Sequence, residues 1–164
     1  MHNLITHLVV AFIYLAVAVD FLRANKPAEN HAHLKLHSTM IALGLVVHGW
    51  LLHQSIFSYG FNLGFYESIS AILWLTVLIY WVTDRDHCLH SLQAFVLPPA
   101  ALFSLLPAFF SSHHFLPGAD NSLFIAHVWI AMLAYSLFTF AALHAVLMAI
   151  AERSLHHKST WIRL

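Results

Sequence analysis

Charge is what this sequence has least of. Lys, Arg, Asp and Glu make up 9% of the 164 residues, against roughly a quarter in soluble domains, which excludes a chain wrapped in a charged, water-facing surface. Cysteine is confined to Cys88 in a short polar loop, so no internal disulfide and no Cys-rich metal site is available. No nucleophile triad, phosphate-binding loop, metalloprotease motif or pair of catalytic carboxylates occurs, and so little charge leaves little for acid–base work. The residues therefore predict a protein that is not an enzyme and has no nucleic-acid partner. Internal repeats and low-complexity stretches are also missing.

What is present is apolar: 60% of the residues are hydrophobic. Five runs, residues 4–22, 36–54, 63–83, 91–110 and 122–151, approach the roughly 20 helical residues that cross a hydrocarbon core about 30 Å thick. They predict an all-α, polytopic transmembrane bundle of five helices, a single domain over residues 1–164 in contact with membrane lipid, with a basic tail at 152–164. The first run imitates a secretory signal at "LAVAVD", but no Lys or Arg precedes it and its apolar stretch is long for a signal. It is read as a retained first helix.

The few basic residues are all on one side. Arg23, Lys26 and Lys35 fall in the first loop, Arg85 in the third, and Arg153, Lys158 and Arg163 in the tail. By the positive-inside rule the N-terminus of this multi-pass chain faces out and the C-terminus is cytoplasmic. The outer loops are short and aromatic, with Phe57, Tyr59, Phe61, Phe65, Tyr66 and Phe115 placed to settle at the lipid interface.

Fifteen histidines stand in this setting, and a histidine inside a membrane helix must find a partner, whereas one in a loop is solvated. His2, His7, His31, His33, His37, His87, His90, His156 and His157 lie in loops or near a surface and read as solvated or interfacial. His113 and His114 form an adjacent outer-loop pair, a weak metal candidate. His48 and His53 lie in the second run, and His127 and His144 in the fifth. From the helical rise, His48 is roughly 9 Å and His127 roughly 7–8 Å below the outer surface, a matching depth. His53 is interfacial, and His144 lies about 25 Å deeper than His127.

The fifth run begins in "PGADNS", where Asp120, Asn121 or Ser122 would cap its first N–H groups. Ala131, Ala134, Ala141, Ala142, Ala145 and Ala149 recur along it at three- and four-residue steps, and such small-residue stripes let membrane helices approach closely. His127 opens that stripe and is expected to point into the bundle. Asp20 and Glu67 read first as solvated residues at helix ends. Glu67 shares the outer level with His48 and His127, where it could orient an imidazole.

Histidines near the outer face of an aromatic, apolar bundle suit haem, whose iron takes imidazole and whose macrocycle needs an apolar wall. His127 and His48 are the candidate ligands. The outer face offers no Lys or Arg for the propionates, so the start of the fifth helix or the His113/His114 pair would have to receive them.

The segments "FNLGFYESISAILWLTVLIYW" and "LFIAHVWIAMLAYSLFTFAALHAVLMAIAE" resemble the cytochrome c assembly proteins of the CcsA/CcmC/HemX type, and most closely the inner-membrane YpjD branch. The likeness runs from "LVVHGWLLH" to the end of the fifth run. It implies that His127 matches a haem-associated histidine of that family and that His48 matches a histidine position of the YpjD branch. The family's tryptophan-rich outer segment and the histidine after it have no counterpart here, and the family usually has about eight spans. The chain thus looks like the first part of the family domain, and haem-handling or other membrane subunits are the partners implied. The resulting expectation is a protein of cytochrome c biogenesis that binds or passes haem near the outer face. The alternative is a non-catalytic structural or regulatory membrane subunit, for example of an ion-transport assembly, whose histidines join helices; a transition-metal ion is a third candidate ligand.

Overall fold

A computed structural model describes residues 2–23, 31–58, 60–84, 90–110, 115 and 121–160. Among them the chain is all-α: α1 (His2–Arg23), α2 (His31–Phe57), α3 (Phe65–Thr83), α4 (Gln93–Ser104), α5 (Leu106–Phe109) and α6 (Ser122–Thr160), with a 3-10 turn at His90–Leu92 leading into α4. Helices α1, α2, α3 and α6 are each long and apolar enough to cross a membrane. The pieces α4 and α5 are the fourth expected run, shorter than the others and broken at Leu105.

A proline sits at the break. Pro107 has no N–H and its ring crowds the carbonyl four residues back; α4 runs through Pro98 and Pro99 but stops before this third proline, which stands in the first turn of α5. The Ala108 N–H turns to the Leu105 carbonyl at 3.0 Å instead of continuing the α4 ladder, which leaves the Ser104 carbonyl without its helical donor. Side chains also decide where α6 begins: Asn121 Oδ1 accepts from the Leu123 N–H at 3.0 Å. Of the three expected caps, Asn121 is the one used.

The bundle is inverted relative to a soluble protein. His48, Glu67, Ser70, Thr76, Gln93, Ser104 and Ser136 are almost wholly enclosed, while Phe12, Val46, Leu123 and Phe138 are at least 70% exposed. Water would penalise that arrangement, and lipid tails favour it. The chain is accordingly a multi-pass membrane protein.

Hydrogen bonds between helices fix their alternation. His7 near the start of α1 meets Ser104 at the end of α4, Asp20 near the end of α1 meets His37 near the start of α2, and His48 in the second half of α2 meets Ser70 near the start of α3. Trp74 and Trp81, two turns apart on one face of α3, donate their indole N–H groups to α2, to the Leu45 carbonyl at 2.8 Å and the Ser38 carbonyl at 3.1 Å. Where α3 crosses α6, Ser136 Oγ lies 2.7 Å from its own Met132 carbonyl and 3.0 Å from the Ile72 carbonyl of α3. The starts of α1, α3 and α6 thus share one end of the bundle with the ends of α2 and α5, hereafter the Phe61 end; the other is the Asp84 end.

The main apolar core joins α1, α2, α3 and α4 around Val10, Tyr14, Leu45, Val77, Val96 and Leu97. A smaller core around Leu52, Ile56, Phe61, Ala71 and Met132 joins α2, α3 and α6 at the Phe61 end. Helix α6 is the most peripheral spanning helix, with 11% of its most apolar stretch buried, against 28–39% for the other three.

Close packing of α1 on α2 depends on Gly44, where an added Cβ would stand 2.7 Å from Tyr14 Cε1. Because Tyr14 is fully enclosed, its ring has nowhere to retreat. Gly44→Ala is expected to destabilise the bundle by about 1–3 kcal/mol. Thermal unfolding in detergent checks this, and an unchanged midpoint would show that the α1–α2 seam can widen freely.

Candidate functional site

The break in α4 explains the first buried histidine. A carbonyl oxygen can only accept, so the 2.6 Å contact between His7 Nδ1 and the Ser104 carbonyl places the proton on Nδ1, and the imidazole supplies the donor that the α4 ladder lost. His7 is 6% exposed and His37, paired with Asp20 at 2.8 Å, is 7% exposed. Both were expected to be solvated or interfacial. Each instead joins two helices, because its helix turns it toward a neighbour.

His48 is enclosed by α1, α2 and α3. Its Nε2 lies 3.0 Å from Ser70 Oγ, and its ring centroid is 5.9 Å from that of Tyr14. His48 Nδ1 and the Tyr14 hydroxyl are buried without a hydrogen-bond partner. Glu67, one turn before Ser70 on the same face of α3, is 1% exposed, which corrects the expectation of a solvated helix end and keeps it at the level of His48. The cluster of His7, Tyr14, His48, Glu67, Ser70 and Ser104 is thus a sealed polar layer between α1, α2, α3 and α4.

His127 lies elsewhere. It is exposed, and the five residues separating it from the packed Met132 turn it roughly 140° away from the face that meets α3. The expectation that it points into the bundle fails for that reason. Ala141, Ala142, Ala145 and Ala149 are exposed with it, so much of the small-residue stripe runs along the outer side of α6. The structure does not bring His48 and His127 together.

A third histidine borders the accessible chemistry. An apolar groove of about 200 Å³ opens between α2, α3 and α6 at the Phe61 end, lined by Gly49, Leu52, His53, Ile56, Phe57, Ala71, Trp74, Leu75 and Trp129. His53 is exposed and packs between Trp50 and Phe57, with ring centroids 6.3 and 5.2 Å away, while Phe57 stacks on Trp129 at 6.4 Å. Glycine at 49 makes room for the Trp74 indole, whose Cζ2 would lie 3.0 Å from an added Cβ. His144, far along α6, is partly buried, and its Nδ1 is enclosed without a partner.

These placements test the residues against haem. His48 does not fit: one nitrogen is engaged by Ser70, the other is sealed, and the groove does not reach it. His127 and His53 fit better, as exposed imidazoles near apolar and aromatic surface. His113 and His114 lie outside the described residues, and among the described residues no cluster of three or more His, Cys, Asp or Glu side chains could hold a metal ion.

Sequence reasoning missed His7, Ser70, Ser104 and Gln93. The signal for His7 was its seven-residue spacing from Tyr14, which puts both on one face of α1; for Gln93 it was an amide inside an apolar run. No family model, curated protein or solved structure matches the chain.

The His48–Ser70 contact is open to a double-mutant cycle with His48→Leu and Ser70→Ala. A coupling of about 0.6–2 kcal/mol is expected, the range for hydrogen bonds between membrane helices, measured by unfolding in mixed micelles. Strictly additive single changes would mean that the two groups contribute independently.

Proposed function

We propose that the chain is a non-catalytic, multi-pass protein of a bacterial inner membrane that handles haem at its Phe61 end, in a role related to cytochrome c assembly. The observation that carries this reading is the aromatic groove with His53 on its wall, on the same end of the bundle as exposed His127. The sequence likeness to the cytochrome c assembly proteins adds to it. The one-sided distribution of Lys and Arg supports an outer-face position for this end. His53 and His127 would present imidazole nitrogens to iron, Trp74, Trp129 and Phe57 would face the macrocycle, and His48 would brace α2 against α3. Haem itself would supply an iron centre that changes oxidation state.

A second reading rests on a different observation: His7, His37 and His48 each bond a group on a neighbouring helix. On that reading the chain is a structural or regulatory membrane subunit, and its histidines serve helix packing.

Visible absorption of the detergent-purified protein, oxidised and reduced, from cells supplied with haem, decides between them. The haem reading expects a Soret band that is lost or shifted in His53→Ala or His127→Ala and kept in Ser70→Ala. A parent protein without the band would leave the packing role as the better account.

A further inference from the structure

At the Asp84 end, away from the groove, the start of α2, the end of α3 and the start of α4 border a small, partly open cavity of about 20 Å³, lined by His37, Ser38, Tyr80, Trp81, Asp84 and Gln93. Most polar groups on its wall have partners. The Tyr80 hydroxyl donates to Asp84 Oδ2 at 3.0 Å, the Trp81 indole N–H reaches Ser38, and His37 pairs with Asp20. Gln93 does not: it is fully enclosed, and both its amide nitrogen and its amide oxygen are buried without a hydrogen bond.

An amide carries two N–H donors and a carbonyl acceptor, and leaving all of them unmet inside an apolar bundle is unfavourable. The occupant of this cavity must therefore both donate and accept. It must also be small, because about 20 Å³ exceeds the roughly 10–15 Å³ that one water needs and leaves no room for a polyatomic ligand. A monovalent cation would satisfy the amide oxygen but face the amide N–H groups with like charge. Water meets both demands.

We propose that ordered water occupies this cavity, accepting from the Gln93 amide N–H and donating to the Gln93 amide oxygen and to the Asp84 carboxylate. It would tie the first turn of α4 to the end of α3, and make this end of the bundle a hydrated polar joint bordered by buried His37, whose partner Asp20 is half exposed.

Radiolytic hydroxyl labelling of the full chain in ¹⁸O-water tests this, since radicals formed at a bound water mark the side chains beside it. Tyr80 and Tyr14 are matched probes, 1% and 0% exposed, and only Tyr80 borders the cavity. Tyr80 is expected to label on the order of tenfold faster than Tyr14 if water is resident beside it, and Gln93→Leu is expected to remove the difference. Equal slow labelling of the two tyrosines in the parent protein overturns the proposal without reference to any variant. Fast Tyr80 labelling in choline chloride that is suppressed by sodium or potassium chloride at the same ionic strength also overturns it, and would assign the cavity to a monovalent cation.

Discussion

Lipid tails offer no hydrogen bonds, so each polar group on a spanning helix must be answered from inside the bundle, and that single constraint organises this chain. It makes the segments helical, because only a helix satisfies its own backbone. It also dictates what happens where a helix cannot do so. At the break beside Pro107 the Ala108 N–H turns to the Leu105 carbonyl, and His7 on α1 donates to the Ser104 carbonyl in its place; the repair bonds α1 to α4 as a consequence. The same demand pins both indoles of α3 to α2 and places Ser136 against a carbonyl of α3. Apolar packing alone discriminates weakly between helices in lipid, where a leucine gains little by leaving the tails for a neighbour. Polar repairs therefore set which helices are adjacent and in what register.

Those repairs explain why most of the architecture was readable from the sequence and part of it was not. Run length and hydropathy locate segments because the membrane thickness is fixed, and α1, α2, α3 and α6 all contain or closely match the expected runs. The cap at Asn121 was among three legible candidates. The break in the fourth segment depends on Pro107 and on the answering imidazole of His7, whose partner carbonyl at Ser104 lies 97 positions away. Composition over a window carries no trace of such a distant pairing.

The candidate site divides along a sharper line. Helical rise gives depth, and on depth alone His48 and His127 are equals. Direction around the helix axis is set by which face meets a neighbour, and a stripe of small residues says that a helix can be approached closely without saying from which side. On α6 the contacts with α3 run through Met132, Ser136 and the residues in register with them, so His127 and the later alanines of the stripe, from Ala141 on, turn outward. Glu67 shows the converse: a carboxylic acid at a helix start looks solvated in sequence, and is enclosed because α3 begins inside the layer that holds Ser70 and His48.

Among the histidines whose side chains are described, few are thus free for other chemistry. An imidazole whose Nδ1–H is held by a carbonyl, as in His7, has its orientation fixed by that bond, and His48 is buried with its Nε2 at Ser70 and its ring against Tyr14. Using either as a ligand would require the helix contact to open, with the unfavourable exposure of a backbone carbonyl or hydroxyl to hydrocarbon. His53 and His127 carry no such obligation among the described contacts with other helices, and both are reachable from outside the bundle. A membrane histidine's availability for a ligand is therefore decided by what its neighbours would lose if it moved, and in this bundle that condition favours the Phe61 end, where the open groove and the exposed imidazoles occur together.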